Sequence, residues 1–522
     1  MRKIAILSLV LVILFALNGC GSVEPSEAES TSAETSKTET TQSAKNINTS
    51  NMFTDNDMEI GYDEETSTKI ILSGDTATGT SNAVKFSDGT VTLTDEGTYI
   101  FSGTLNDGMI VVNAEDTDKV RLVLDGANIK SSDSAAIYVA KADKVFITTA
   151  SDSKNTLING GKYTAIDDNN IDAVVFSKSD LTLNGSGNLT IDAAVGHGVV
   201  SKDDLVLTGG TYDITAASHG LCGKDSVRIA NGTYTITSGK DGIQAENTDD
   251  IEQGFVYIAD GNFAITADGD GISASANLQI KDGNFTVNTG EGSAAVTMTS
   301  DAMGFGQRGG FQTETMAEGT ENSVSRKGIK AGGTLTVEDG SFVMDTEDDS
   351  SHADSDILVN GGTFRLQSGD DAVHSDTNVT INNGDFDISY CYEGIEGQTI
   401  TVDDGTIDIT SVDDGLNSAG GTDSSGFDGG HPEQSQFSAS SDSLITINGG
   451  VLVIVSDGDC IDSNGALTIN GGKLNLTCNG NGNTALDCDG TYTDNGGDIT
   501  TNDGSENNPG QMGGPGGMRN RR

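Results

Sequence analysis

GGTYDITAASHGLCGKDSVRIANGTYTITSGKDGIQA, residues Gly209–Ala245, states one phrase twice. A glycine leads (Gly210, Gly232), a tyrosine follows two residues on (Tyr212, Tyr234), and an isoleucine four residues on (Ile214, Ile236). A polar turn then ends in Gly220-Leu221 or Gly242-Ile243, and a second short apolar alternation closes the unit, as in Val227-Arg228-Ile229. Alternation at period two marks strands with one buried face. The two leading glycines are 22 residues apart, room for two or three short strands and no helix.

The phrase extends in both directions. Its leading glycine recurs at 187, 261, 283, 340, 362, 384, 405, 450 and 472, mostly at intervals of 21–23 residues, with longer gaps after 232, 283 and 405. Position +2 collects Phe263, Phe285, Phe342, Phe364 and Phe386, then Ile407, Leu452 and Leu474. A unit this short buries nothing alone, but stacked units make a continuous core. A propeller blade needs about 40 residues and leucine-rich repeats need their own Leu/Asn pattern. The fold expected is all-β: a single-stranded parallel β-helix with coils of roughly 22 residues. Two loop insertions, Thr299–Ser325 and Ser418–Asp442, interrupt it.

Composition limits the function. The 522 residues carry 28 Lys+Arg against 79 Asp+Glu, a formal net charge of −51, which excludes a nucleic-acid surface. Trp is absent, so the commonest flat sugar platform is missing. At the N-terminus Arg2 and Lys3 precede an apolar run, Ile4–Leu17, that is too short to span a bilayer. Leu17-Asn18-Gly19-Cys20 resembles a bacterial lipobox, which implies cleavage before Cys20 and its lipidation. The expected location is extracytoplasmic, lipid-anchored at the cell surface, with no spanning segment and a monomeric chain. Residues 1–19 read as a lipoprotein signal peptide, 20–60 as a Ser/Thr/Glu-rich tether, 61–503 as the β-helix and 504–522 as a disordered Gly-rich basic tail. Five sparse cysteines remain (Cys222, Cys391, Cys460, Cys478, Cys488); they read as small buried hydrophobes, with a Cys478–Cys488 bridge as the alternative.

A column of acids forms on the same alignment. Nine residues after the leading glycine stand His219, Asp241, Asp270, Asp349, Asp371, Glu393, Asp414, Asp459 and Asn481. Asp348, Asp370 and Asp413 precede this column, and His352, His374, Glu396, Asn417 and Asp462 follow it by three residues. Neighbouring coils lie about 4.8 Å apart, where two carboxylates repel by about 1–3.5 kcal/mol. The column therefore needs protonation, splaying into water, or a counter-cation. Clustered hard oxygens suit Ca²⁺, with Asp241, Asp270, Asp348, Asp349, Asp370, Asp371, Glu393, Asp413, Asp414, Asp459 and Asp462 as candidate ligands. Solvated acids that keep the sheet soluble are the alternative. His352 and His374, without further Cys or His, make a poor zinc set.

Lys178, Lys202 and Lys224 recur 24 and 22 residues apart. They either grip a carboxylated sugar chain or neutralise Asp203, Asp204 and Asp225. Tyr390 and Tyr392 are candidate sugar platforms if the chain turns after Ile388; straight alternation buries both.

The stretch TLTDEGTYIFSGTLNDGMIVVNAEDTDKVRLVLDGANIKSSDSAAIYV (Thr92–Val139), with FSKSDLTLNGSGNLTI and SKDDLVLTGGTYDIT further on, resembles clostridial carbohydrate-binding domain lipoproteins. The resemblance implies a right-handed β-helix shaped like polysaccharide lyases, bound calcium, and affinity for polygalacturonate and cellulose. His219-Gly220-Leu221 and Asp349-Ser350-Ser351-His352 depart from the usual Asp-Gly-Ile turn, which puts calcium in doubt at those coils. Three readings follow: a non-catalytic polysaccharide-binding protein, an active calcium-dependent lyase on the same scaffold, or a structural adhesin or stalk. A lyase needs a Lys or Arg base beside its calcium, and Lys330 and Arg365 are the candidates, neither in a clear acid–base constellation.

Overall fold

The computed structural model describes residue 47 and residues 49–509, except 80, 165, 251, 299–323 and 420–441. The signal segment, Cys20, most of the tether, the bulk of both insertions (with Phe305, Phe311, Phe427 and Phe437) and the end of the tail lie outside these residues.

The fold is a parallel β-helix. Each coil contributes three strands, and each strand pairs in parallel with its counterpart one coil on. Sheet A holds the leading phrase: Thr211–Ala216 pairs with Thr233–Ser238, and that with Asn262–Ala267. Sheet B is narrow, with Leu221–Gly223, Ile243–Ala245 and Ile272–Ala274 in register. Sheet C closes the coil through Ser226–Ile229, Phe255–Ile258 and Leu278–Ile280. The blurred first third obeys the same rule, since Lys119–Leu124 pairs in parallel with Lys144–Thr149. Two antiparallel hairpins, Thr68–Gly74 with Thr76–Gly79 and Val84–Ser87 with Thr90–Leu93, begin the stack. Ala77, Val84 and Phe86 from them pack on the core.

The leading glycine is required twice over. At Gly232 φ is +145°, and a Cβ there would lie 2.6 Å from the Tyr234 hydroxyl. An L side chain is strained at such angles. With the glycine in place the +2 rings turn inward and stack face over face. Tyr212, Tyr234, Phe263, Phe285, Phe342, Phe364 and Phe386 follow at centroid separations of 5.3, 4.9, 4.7, 4.8, 4.8 and 4.3 Å. Buried phenols need partners, and both have them: Tyr212 donates to the Gly209 carbonyl and Tyr234 to that of Asn231. All five cysteines are buried and free, as small hydrophobes.

The insertions leave the register intact, since Phe285 pairs with Phe342 and Ile407 with Leu452 across them. The first leaves the chain between sheets A and B, the second between sheets B and C.

Two boundaries differ from expectation. Residues 49–60, assigned to the tether by composition, are folded. The short helix Asp55–Met58, closed by a Thr54/Asp57 capping box, lies across the outside of sheet C. There Asp57 accepts from Thr182 at 2.6 Å and pairs with Lys144 at 2.7 Å, while Asn184 and Thr208 donate to its carbonyl. At the other end the chain is ordered through residue 509, where Ser505 Oγ accepts the Leu486 N–H.

Candidate functional site

The turn from sheet A to sheet B carries the acidic column, and the structure gives that column a backbone task. In coil after coil, one side-chain atom accepts the N–H of the equivalent residue in the next coil. Asp241 Oδ1 accepts from Asp270 at 2.9 Å, Asp270 from Lys327 at 2.8 Å, Asp349 from Asp371 at 3.1 Å, Asp371 from Glu393 at 3.1 Å and Asp414 from Asp459 at 2.6 Å. Asp459 Oδ1 takes the N–H of Thr484, which fills the column where counting places Asn481. Histidines do the same through Nδ1: His197 accepts from His219 and His219 from Asp241. In these coils the turn N–H is thereby satisfied, and where the acceptor is an aspartate its second oxygen is left over.

Charge on the leftover oxygens is compensated in the middle coils. Lys327 stands in the acidic column itself, almost fully buried, with Nζ 2.9 Å from Asp348 and 2.6 Å from Asp349. Burial opposes its charge, but Asp349 and Asp348 hold its pKa well above the usual lysine value. Burial likewise works to raise the Asp349 pKa, and Lys327 and His352 overcome it and hold it below the usual range. His352 and His374 stack 5.1 Å apart in the next column. His352 Nδ1 meets Asp349 at 2.9 Å and its Nε2 meets Asp354 at 3.2 Å. His374 Nδ1 lies 3.1 Å from Asp371 and 2.7 Å from Glu396. Against burial, these carboxylates raise both imidazole pKa values. The carboxylates around each ring favour its protonated form.

The charge balance differs in the coils that follow His374. No cation among the described residues pairs with Glu393, Asp414, Asp459, Asp462 or Asp487. Burial first, then mutual repulsion, pushes Glu393 and Asp414 well above the carboxylate range. Asp459 rises to about 8 and Asp462 to about 7, burial again leading. Oxygens of Asp459, Asp462 and Asp487 converge within 4.8 Å of one another. One coil back, Asn417 donates to Glu393 Oε1 at 2.8 Å, leaving Glu393 Oε2 and Asn417 Oδ1 buried without partners. Buried polar atoms rarely stay unpaired. This all-oxygen donor set fits a hard divalent cation of irregular coordination.

A sequence profile of carbohydrate-binding domain-containing proteins matches residues 87–372 and 370–509. The chain belongs to the carbohydrate-binding domain-containing family. A curated relative from Acetivibrio thermocellus, itself described as a carbohydrate-binding domain-containing protein, is 37% identical over 151 residues. That match covers 28% of this chain and 53% of the relative, so the chain spans about half the length of the relative it matches. A solved structure described as a polysaccharide lyase-like protein from C. thermocellum (a gadolinium derivative) is 36% identical, with a TM-score of 0.42, and covers 43% of this chain and 92% of the other.

In this carbohydrate-binding domain the remaining candidates divide. Lys178, Lys202 and Lys224 do form a line, because their N–H groups bond to Val139, Ser177 and Ser201 of the preceding coils. Lys202 pairs with Glu246 at 3.3 Å, whereas Asp204 pairs with Arg228. Tyr392 is buried in the coil-stacking turn, its N–H donating to Asp370 and its carbonyl accepting from Asp413, so it offers no platform; Tyr390 is half-buried at a register shift. Lys330 approaches Asp270 at 4.0 Å, and Arg365 pairs with Asp387 on the outer face of sheet A. Sequence reading missed Lys327, Asp487, Asp172 and His197. Lys327 had a signal, since Lys327-Gly328-Ile329 repeats the Asp-Gly-Ile turn with the charge reversed.

Proposed function

We propose that this protein is a non-catalytic, calcium-dependent polysaccharide-binding protein for acidic plant-wall polysaccharide of the polygalacturonate type, with cellulose as the weaker ligand, held at the cell surface by a lipid on Cys20. Membership of the carbohydrate-binding family supports the ligand class. The observation that carries the metal is the convergence of Asp459, Asp462 and Asp487, which no cation among the described residues pairs with, beside the unpartnered Glu393 and Asn417 oxygens. A protein of net charge −51 repels a polyuronate, so attraction must be local. Calcium held by Glu393, Asp413, Asp414, Asp459, Asp462 and Asp487 supplies positive charge there and shares coordination with sugar carboxylates. In the middle coils Lys327, His352 and His374 pair with Asp348, Asp349 and Asp371, although atoms of Asp348, Asp349 and Asp370, and of Asp371, His374 and Glu396, also converge within 4.8 Å. Missing Trp and the burial of Tyr392 disfavour a flat neutral surface.

The test is retention on immobilised polygalacturonate with calcium and with chelator, while ultraviolet absorbance of unsaturated uronate is followed. Retention that needs calcium, with no unsaturated product, supports the reading. Release of unsaturated product makes the protein a lyase instead.

A further inference from the structure

Cations are distributed unevenly along this chain. Between Arg365 and Arg519 the sequence holds a single Lys or Arg, Lys473, against 25 Asp and Glu. Lys473 opens a strand of sheet A and is exposed on its outer face, away from the turn that carries the acidic column. Three arginines then fall within four residues, Arg519, Arg521 and Arg522.

The acidic turn of the last coils suits such a partner. Asp459, Asp462 and Asp487 are each partly exposed, and their oxygens converge within 4.8 Å of one another. Glu393 and Asn417, each only 4% exposed, add Oε2 and Oδ1 without partners, and Asn417 stands in register with Asp462. The same column takes a side-chain cation in the middle coils, where Lys327 Nζ lies 2.9 Å from Asp348 and 2.6 Å from Asp349. A guanidinium fits paired carboxylates better still, because its planar fork donates to two oxygens at once and is more weakly hydrated.

The tail starts beside this cluster. Asp503 Oδ2 accepts the N–H of Ala485 at 2.8 Å, and Ser505 Oγ that of Leu486 at 3.0 Å. Residues 503–505 therefore lie against the segment that leads into Asp487. Arg519 is ten residues on from residue 509, a span of up to about 35 Å. The intervening GQMGGPGGM carries no charge. Coils about 4.8 Å apart put every acid from Asp414 to Asp487 well inside that reach.

We propose that Arg519, Arg521 and Arg522 dock on Asp459, Asp462 and Asp487 of the same molecule, as a tethered counter-ion that calcium displaces. The tail thereby sets the calcium concentration at which the cluster becomes free to share a metal with sugar carboxylates. Docking stands on charge and reach; the exchange with calcium rests on the metal reading given under the proposed function.

The experiment uses the full chain with ¹³C-methyl methionine, whose ten methionines include Met518 beside Arg519; Met518→Leu assigns its signal. In chelator at low ionic strength the Met518 methyl should be as broad as that of the buried Met344, and saturating calcium should narrow it. Asp462→Asn/Asp487→Asn, and separately Arg519→Gln/Arg521→Gln/Arg522→Gln, should narrow it without calcium. In calorimetric titration the arginine variant should bind calcium about five- to tenfold more tightly than wild type, a gap that closes at high salt. A Met518 signal already narrow in chelator overturns the docking. Broadening that grows with protein concentration places the tail on a second molecule and overturns the same-molecule contact. Equal calcium affinity in wild type and the arginine variant overturns the exchange. No calcium binding by either protein overturns the metal reading instead, and the Met518 linewidth in chelator still decides the docking.

Discussion

The N–H of Asp459 donates to Oδ1 of Asp414, one coil away, at 2.6 Å. That bond explains why an aspartate recurs where charge repulsion argues against it: the oxygen is needed by the backbone whether or not it is charged. Asp414→Asn keeps an acceptor and removes a charge. In chelator it should leave stability equal to or above wild type. Asp414→Ala strands a buried N–H and should cost about 1–3 kcal/mol. Urea unfolding of both variants in chelator distinguishes the two roles of the side chain.

Metal-free stability should fall as pH rises. Asp459 and Asp462 have folded pKa values raised to about 8 and about 7, above the 3.8 of an exposed aspartate. A raised folded pKa contributes stability that is complete below about pH 4 and is lost as pH climbs through 7 and 8. Calcium binds the ionised form and should flatten or reverse the slope. Unfolding temperature against pH from about 4 to 8.5, with calcium and with chelator, measures it.

Lys327→Met should be severe. It leaves Asp348 and Asp349 facing each other without the buried ammonium. Breaking one side of a buried ion cluster costs about 3–5 kcal/mol. The expected signature is specific: the variant loses stability in chelator and regains part of it with calcium, which takes over as the counter-ion. Thermal unfolding in both buffers checks this.

The N-terminal strap should detach in acid or on mutation. Although burial works against its charge, bonds from Lys144, Thr182 and Thr54 hold Asp57 at about 2. A depressed pKa gives stability present above about pH 4 and lost as pH falls towards 2. Asp57→Ala should cost about 2–4 kcal/mol locally, with hydrogen exchange accelerated at residues 52–60 and sheet A unaffected.

The coil is legible in sequence because its signals are local. Gly232 is needed for its own φ and Tyr234 for its own buried face, so the phrase recurs wherever a coil does. The position of the acidic column is legible for the same reason. Its compensation is not, because it depends on which coil stacks on which: Lys327 reaches the column only after an insertion that hides its place in the period. The strap is illegible too. Asp57 meets Thr182 across 125 residues, and the polar run Asp55-Asn56-Asp57 reads as linker by composition alone.

The central claim is that the oxygens from Glu393 to Asp487 hold calcium. Calorimetric titration of Ca²⁺ into the chelator-treated, full-length protein tests it most directly, with an Asp459→Asn/Asp462→Asn double variant alongside. Saturable binding to wild type is expected, with loss of at least one site in the double variant, which keeps the Asp459 acceptor for Thr484 and so stays folded. A wild-type titration without heat, or an isotherm identical in both proteins, would contradict it.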